Sequence, residues 1–407
     1  MDIGNGHIFD GMFGIERETL RAAADGTLAK TPHPFADNKY LDRDFGENQL
    51  ELITPPCGSI RSLMLTLDSL DRTARETLSL SGEYLWMNSN PPHIESDSDI
   101  RAAEFSGSLA FKNRYRKRLE KRYGKRLMLY SGIHFNFSFS ERYLHDLHDG
   151  LGKYTDFKNE LYLRLAKQVS RCSWLLVLLT AASPVYDLSL DGDGLSGTGF
   201  DGCASRRSGE KGYWNSFVPV LDYSSLDAYI SSVNRYVHDG RLLAASELYL
   251  PVRLKAGGSK ELESLKTEGI NHIELRMFDL NPLSRLGVFA QDLEFAHYFL
   301  IYLTQLPDFD YTPDMQAAAV KNHKAAARYE MGDIRINGCA GYDAALGLLS
   351  DMKEYFKDYA NVIKNIEHQE KKITEDDRYC RRVYRLLGED FQGEMLRIAK
   401  KESDRNV

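Results

Sequence analysis

Glu16 and Glu18 stand two residues apart in the stretch Gly14-Ile15-Glu16-Arg17-Glu18-Thr19-Leu20-Arg21. On a β-strand alternate side chains share a face, so both carboxylates point one way while Ile15 and Arg17 point the other. Like charges this close repel, and a hard divalent cation with oxygen ligands would relieve them. A solvated edge strand is the plain alternative for an isolated Glu-x-Glu. Asp44 to Pro55 then sets Phe45, Glu47, Gln49 and Glu51 on one parity, with Leu50 and Leu52 on the other. A helix would also bring Glu47 and Glu51 together, at i and i+4. Either reading adds two carboxylates to the first pair.

Two later stretches follow the same plan. In Tyr130 to Ser138 the residues Ile133, Phe135 and Phe137 make an apolar face, opposed by His134, Asn136 and Ser138. Imidazole is a common metal ligand and equally a common hydrogen-bonding structural group. In Gly269 to Asp279 the apolar side is Ile273, Leu275 and Met277, and His272, Glu274 and Arg276 lie opposite. Four strands of this kind, joined as one largely antiparallel sheet backed by helices, predict an α+β fold. Its open face would be a funnel-shaped cup lined by Glu16, Glu18, Glu47, Glu51, His134, Glu274 and Arg276. That many carboxylates call for cations; several Mg²⁺ or Mn²⁺ ions with a nucleotide would neutralise them, the ions bridging phosphate oxygens. Arg276 would hold the γ-phosphate, unless it simply pairs with Glu274.

The elements that must position these residues follow from the rest of the chain. With 43% hydrophobic and 27% charged residues in 407, the composition is that of an ordinary globular protein. A formal net charge of -7 argues against a dedicated nucleic-acid binder. Five scattered cysteines without a C-x-x-C pair suggest neither a disulfide framework nor a zinc site. Met1 to Asn5 lacks the features of a signal peptide, and the apolar run Trp174 to Ala182 is too short to span a bilayer. The expectation is a cytoplasmic protein, with that run in a buried helix. Leu63, Leu67, Leu70, Ala74 and Leu78 recur at helical spacing and predict a structural helix.

Residues 112–126 are strongly basic with Tyr115 and Tyr123 among them; a solvated helix face, a nucleic-acid contact and a reach to nucleotide phosphates are the readings open to it. Gly192 to Gly197 fits G-x-G-x-x-G, but Gly199 and Gly202 continue the run where a helix should open, so a mobile loop or linker is expected instead of a dinucleotide fingerprint. It leads to Arg206 and Arg207, either of which could clamp a carboxylate. Glu247 to Arg253 reads as a short strand with Tyr249 and Arg253 on one parity, followed by a flexible turn at 256–260. Beyond Pro282 the chain reads as helical through Leu283–Leu306, Tyr342–Ile366 and Asp376–Lys400, with no repeat and no domain boundary, so that residues 1–407 form one catalytic unit.

Taken in order, the motifs G-I-E-R-E-T-L-R, D-F-G-E-N-Q-L-E-L-I-T-P, Y-S-G-I-H-F-N-F-S, E-L-Y-L-P-V-R and I-E-L-R-M-F-D-L-N-P resemble the bacterial type of the glutamate–cysteine ligase family, from about residue 10 to about residue 310. The resemblance implies a glutamine synthetase-like funnel. It implies that ATP phosphorylates the γ-carboxylate of L-glutamate and that the amine of L-cysteine attacks the acyl phosphate, the first step of glutathione biosynthesis. Carried over motif by motif, Glu16, Glu18, Glu47, Glu51, His134 and Glu274 would hold metal ions and Arg276 would contact the transferring phosphoryl group. Phe45, Tyr115, Arg207, Tyr213 and Tyr249 would form the acceptor and amino-acid pocket. Met128 stands where members often have Gln, which opens the alternative of a γ-glutamyl ligase using another small amino acid or amine. A phosphotransferase of the same fold, or a non-catalytic binder acting through 112–126, are more distant readings. No ATP-grasp module follows, so a separate glutathione synthetase would complete glutathione.

Overall fold

The structure is a computed structural model that describes residues 7–35, 38–105, 107, 110–258 and 261–404, the side chains of 111 and 112 excepted. Residues 1–5 and the end of the 256–260 turn, on which two expectations rested, lie outside the described residues, as do the last three of the chain.

The strands are β1 (Gly11–Ala22), β2 (Leu41–Asp42), β3 (Gln49–Ile53), β4 (Tyr84–Trp86), β5 (Gly132–Phe139), β6 (Val185–Asp187), β7 (Thr198–Phe200), β8 (Val252–Lys255), β9 (His272–Asp279) and a small separate pair, β10 (Arg335–Ile336) and β11 (Cys339–Ala340). Six of them form a sheet in the order β2-β3-β1-β5-β9-β8, every pair antiparallel, with β4 pairing the far end of β1. The helices that matter for the site are α1 (Ile60–Ser79), α2 (Phe111–Tyr123), α3 (Glu141–Leu147), α4 (Tyr154–Thr180), α5 (Leu226–His238), α6 (Ser264–Glu268), α7 (Ala290–Gln305) and α8 (Pro313–Ala326).

Alternation explains the layers. Phe13 and Ile15 of β1, Leu50 and Leu52 of β3, Ile133, Phe135 and Phe137 of β5, and Ile273 and Leu275 of β9 all enter one core with Leu63 and Leu67 of α1, Leu175 and Leu179 of α4 and Phe295 and Phe299 of α7. The opposite parity is left to the polar residues. Helix α1 starts at Ser59, whose hydroxyl accepts the Ser62 N–H, and the apolar run from Trp174 does lie buried inside α4.

One core position departs from the apolar rule. Arg17 of β1 is fully buried and reaches Asp71 of α1 at 2.7 Å; Arg75 and Arg285 meet the same carboxylate at 2.7 and 2.9 Å. Asp71 therefore ties the central strand to α1 and to the turn before α7.

Several boundaries differ from the expectation. Residues 44–48 are neither strand nor helix: the Gly46 N–H donates to the Gln49 side-chain oxygen at 2.6 Å, closing a turn that sets Glu47 off the sheet. Tyr249 precedes its strand. The Asn215 amide accepts the Tyr249 N–H at 2.9 Å and donates to the Glu247 carbonyl at 2.7 Å, so this stretch bonds to a loop rather than to a ladder, and Arg253 turns back to the Leu248 carbonyl. The 283–289 segment is a turn and α7 begins at Ala290. The C-terminal runs break into helices at 341–355, 360–374, 379–387 and 391–404. The glycine-rich stretch caps a hairpin of β6 and β7, whose tip is pinned by ion pairs of Arg206 with Asp191 and Arg126 with Asp193. Among the described residues all five cysteines are free, and no helix is long and apolar enough to cross a membrane.

Candidate active site

Sheet register brings the chemistry together. Glu18 lies opposite Glu51 across β1 and β3, and Glu16 lies opposite His134 across β1 and β5. Glu274 lies opposite Asn136, and the β5 register shifts at His134, a local irregularity that re-aims the imidazole. His134 Nδ1 is 3.4 Å from Glu16 and 3.5 Å from Glu274, and its Nε2 is 3.5 Å from Glu18. These spacings are longer than good hydrogen bonds.

Ligand atoms of Glu16, Glu51 and His134 lie within 4.8 Å of one another, a spacing that suits a divalent cation. Two buried atoms at the same place, His134 Nε2 and Glu274 Oε2, have no hydrogen-bond partner. Orphaned acceptors among carboxylates are what a cation would satisfy, so the residues fit a metal site.

Electrostatics divides the carboxylates. Burial works to raise Glu16, but the pull of His134, with Lys255 adding to it, prevails and holds it down at about 2. Glu274 is likewise driven well below the carboxylate range against burial, by Arg276, Lys255 and His134. Glu18 moves up, because burial outweighs the attraction of His134 and Asp44 adds repulsion. Arg276 is 3.2 Å from Glu274, and despite burial Glu274 and Glu18 keep it firmly charged.

Glu47 is set apart: its carboxylate accepts the His33 N–H at 2.8 Å and pairs with Arg43 at 3.2 Å. Among residues outside the expected set, Lys255 at the end of β8 reaches Glu274 at 3.3 Å, and its parity with Arg253 was the only sequence signal for it. Asp44 is also missed; its carboxylate acts on Glu18, Tyr115 and Tyr213 at once.

Arg276 also borders a cavity of about 30 Å³ lined by Arg207, Tyr213, Trp214, Tyr249 and His323. The Tyr213 and Tyr249 rings lie 4.1 Å apart, and burial keeps both phenols protonated as donors. Tyr213 continues into an apolar cluster with Phe45, Tyr115, Leu119 and Met128. The five expected pocket residues thus form one connected wall, with Met128 in it. Asp279 attracts the Arg207 guanidinium, and its buried carboxylate accepts from Ala182 N–H, Ser183 Oγ and Ser205 Oγ at 2.9, 2.7 and 2.9 Å. Arg207 donates to the Arg276 carbonyl at 2.8 Å. Of the two adjacent arginines, Arg206 instead stacks 3.7 Å from the Tyr186 ring.

Helix α2 uses two of its basic residues locally: Arg116 donates to the Ala103 carbonyl, and Arg122 pairs with Glu247 at 2.7 Å. On the other side of Glu16 a cleft of about 520 Å³ runs past Gly14, Thr54, Asn136, Ser138 and His272, within the size range of small-molecule sites.

A model of the family described as glutamate-cysteine ligase matches residues 4–241 and 215–326. The chain belongs to the glutamate–cysteine ligase family. It is similar to the glutathione biosynthesis bifunctional protein GshAB of Listeria monocytogenes serotype 4b, 39% identical over 351 residues, covering 82% of this chain and 45% of that protein. The bifunctional protein of Clostridium perfringens is 34% identical over 385 residues, covering 86% and 49%. The chain spans about half the length of the curated relatives it matches. Among solved structures, a bifunctional glutathione synthetase from Pasteurella multocida superposes with a TM-score of 0.85 at 27% identity, over 98% of this chain and 53% of that one. A glutamate–cysteine ligase from Francisella tularensis in complex with AMP gives a TM-score of 0.87 at 23% identity, over 98% and 89%. The family and the α+β fold expected from the motifs are both borne out by these matches.

Proposed function

We propose that this chain joins the γ-carboxylate of L-glutamate to the amine of L-cysteine at the expense of ATP, giving γ-glutamylcysteine, ADP and phosphate. The observation that carries this reading is Arg276, which touches the carboxylate–histidine cluster through Glu274 and also borders the cavity of Arg207, Tyr213 and Tyr249. A phosphoryl group and an amino acid would meet there.

In this reading Glu16, Glu18, Glu51, His134 and Glu274 hold Mg²⁺ or Mn²⁺, and Glu47 joins them only by releasing Arg43. When bound, the ions offset the charge of the triphosphate. The nucleotide takes the cleft beyond Glu16, whose volume of about 520 Å³ suits a small molecule. Lys255 and Arg276 face the phosphates, and Arg276 stabilises charge as the phosphoryl group moves. Arg207 binds a substrate carboxylate through paired N–H groups, and the Tyr213 and Tyr249 hydroxyls donate to the acceptor. Phe45, Tyr115 and Met128 enclose the small acceptor side chain, while Asp44, facing Glu18 and Tyr213, attracts the acceptor amine.

One core running from Ile8 to Ile373 supports a single catalytic unit, and the ATP requirement suits the cytoplasm. The second ligation of glutathione synthesis we assign to a distinct ATP-dependent unit, a reading in keeping with the name bifunctional that relatives carry.

The test is ADP and phosphate release with ATP, Mg²⁺ and glutamate across cysteine, 2-aminobutyrate, alanine, serine, glycine and ammonia, with product masses recorded. Cysteine should be the best acceptor, followed by 2-aminobutyrate. A clear preference for another amine would transfer the chain to a different γ-glutamyl ligation, and no phosphate release with any acceptor would overturn the reading.

A further inference from the structure

His323 belongs to none of the sequence motifs. It lies on α8 and lines the same cavity as Arg207, Tyr213 and Arg276. Its Nδ1 is 2.8 Å from Ser173 Oγ of α4, and that hydroxyl donates to the Ser170 carbonyl at 3.2 Å. In the tautomer in which Ser173 Oγ directs its proton to Ser170 and receives the Nδ1–H of His323, Nε2 is the bare lone pair of a neutral ring.

The surroundings hold that state. Burial first, then the charges of Arg207 and Lys324, push the imidazole down to about 3, so the ring is neutral and a poor base, with one nitrogen free to accept. The Trp214 ring meets it edge-on at 5.1 Å and is itself anchored by donating to the Gly209 carbonyl at 2.8 Å. An arginine and a neutral acceptor side by side in one small cavity match the two ends of a zwitterion: a carboxylate on the guanidinium and an ammonium on the lone pair.

We propose that His323 Nε2 accepts a hydrogen bond from the α-ammonium of the donor amino acid while Arg207 holds its α-carboxylate, making His323 a specificity-determining residue. The proposal rests on the ligase reading above. The donor is chosen over the acceptor by the chemistry. The acceptor must bring its amine, freed of its proton, to the acyl carbon beside Arg276 and the carboxylate cluster, so that amine cannot also rest on His323. The donor's α-ammonium takes no part in the reaction and needs a fixed partner.

The experiment compares glutamate with glutarate, which keeps both carboxylates and lacks the α-amino group, in the full chain and in two variants. His323→Asn retains an amide N–H for Ser173 and loses the atom at Nε2; His323→Gln carries an amide oxygen outward toward that position. In the unaltered chain glutamate should bind better than glutarate by roughly tenfold to a hundredfold, the range for a hydrogen bond to a charged group. His323→Asn should raise the KM for glutamate by a similar factor, leave kcat, the KM for ATP and inhibition by glutarate nearly unchanged, and His323→Gln should recover part of the loss. Equal binding of glutamate and glutarate by the unaltered chain would overturn the proposal without any variant. So would an unmoved glutamate KM in an active His323→Asn, or an equal loss for glutarate, which marks a packing effect. In those cases turnover with glutamate and cysteine leaves the ligase reading standing, whereas a chain inactive with every amino acid removes both.

Discussion

Gly132→Ala tests whether Arg207 acts as the carboxylate anchor. Gly132 opens β5 directly beneath the Arg207 guanidinium: a Cβ built there would lie 2.4 Å from Cζ and 2.5 Å from one terminal nitrogen. Its backbone does not have a positive φ, so alanine itself is unstrained. Ordinary contact needs about 3.4 Å, and the guanidinium must therefore retreat by about 1 Å, a misplacement that costs on the order of 100-fold in a positioned reaction. The Arg207 bond to the Arg276 carbonyl, 2.8 Å long, would be strained or broken by the same movement. The expected outcome is a loss of roughly tenfold to a hundredfold in kcat/KM for the amino-acid substrate, with the KM for ATP unmoved. Steady-state kinetics varying each substrate in turn, beside a thermal melt, would measure it. The control is Arg207→Ala, in which the added methyl meets empty space and should cost nothing further. Full activity of Gly132→Ala, or the same additional loss in the Arg207→Ala background, would refute the reasoning.

Other expectations bear on the remaining parts of the molecule. Glu16→Gln should abolish turnover and weaken Mg²⁺ binding while leaving the melting temperature near that of the unaltered chain; substantial activity at ordinary Mg²⁺ would remove Glu16 from the metal shell. Tyr249→Phe should raise the acceptor KM by roughly three- to tenfold, the worth of one neutral hydrogen bond, and an equal rise for ATP would count against an acceptor-side role. Asp71→Asn leaves Arg17 and Arg75 buried without their counter-charge and should lower unfolding free energy by about 3–5 kcal/mol; a loss well under that in denaturant titration would show that the arginines find other partners. His297 is buried against Phe13 and Phe137, and burial lowers it from 6.5 to about 3. Above pH 6.5 the ring is neutral folded or unfolded; below it the unfolded chain takes up a proton that the native state refuses until about pH 3. Stability should therefore fall with pH through that window by about 1.4 kcal/mol per unit for this group, and His297→Phe should flatten the slope. An identical pH profile for the variant would contradict the assignment.

What the sequence determined by itself was the face each residue would occupy. Side-chain alternation has a period of two, so once a stretch such as Ile133 to Ser138 is a strand, its apolar parity must seek a core and its polar parity must seek the open side. That local rule was sufficient to group Glu16, Glu18, Glu51, His134, Glu274 and Arg276, and the spacing of Leu63, Leu67, Ala74 and Leu78 was sufficient for the helix behind them. It failed where the backbone bonds to something other than its neighbour strand. Glu47 left the cluster because a turn closed by Gln49 handed it to Arg43, and Tyr249 left its strand because Asn215 bracketed it. Asn215 lies 34 residues from Tyr249, beyond any local pattern, whereas Arg43 and Gln49 are close to Glu47 and act through a turn that alternation does not encode. The tertiary structure alone decided which of two adjacent arginines enters the cavity: Asp279 gathers the Ser205 loop so that Arg207 turns inward over Gly132, while Arg206 spends its charge on Asp191 and Tyr186. His323 shows the same limit most plainly. It sits on a helix with no motif around it, and only the packing of α8 against α4, which sets Ser173 beside its ring, brings it to the cavity wall, because proximity across 150 residues is created by the closure of the core and is carried by no local pattern.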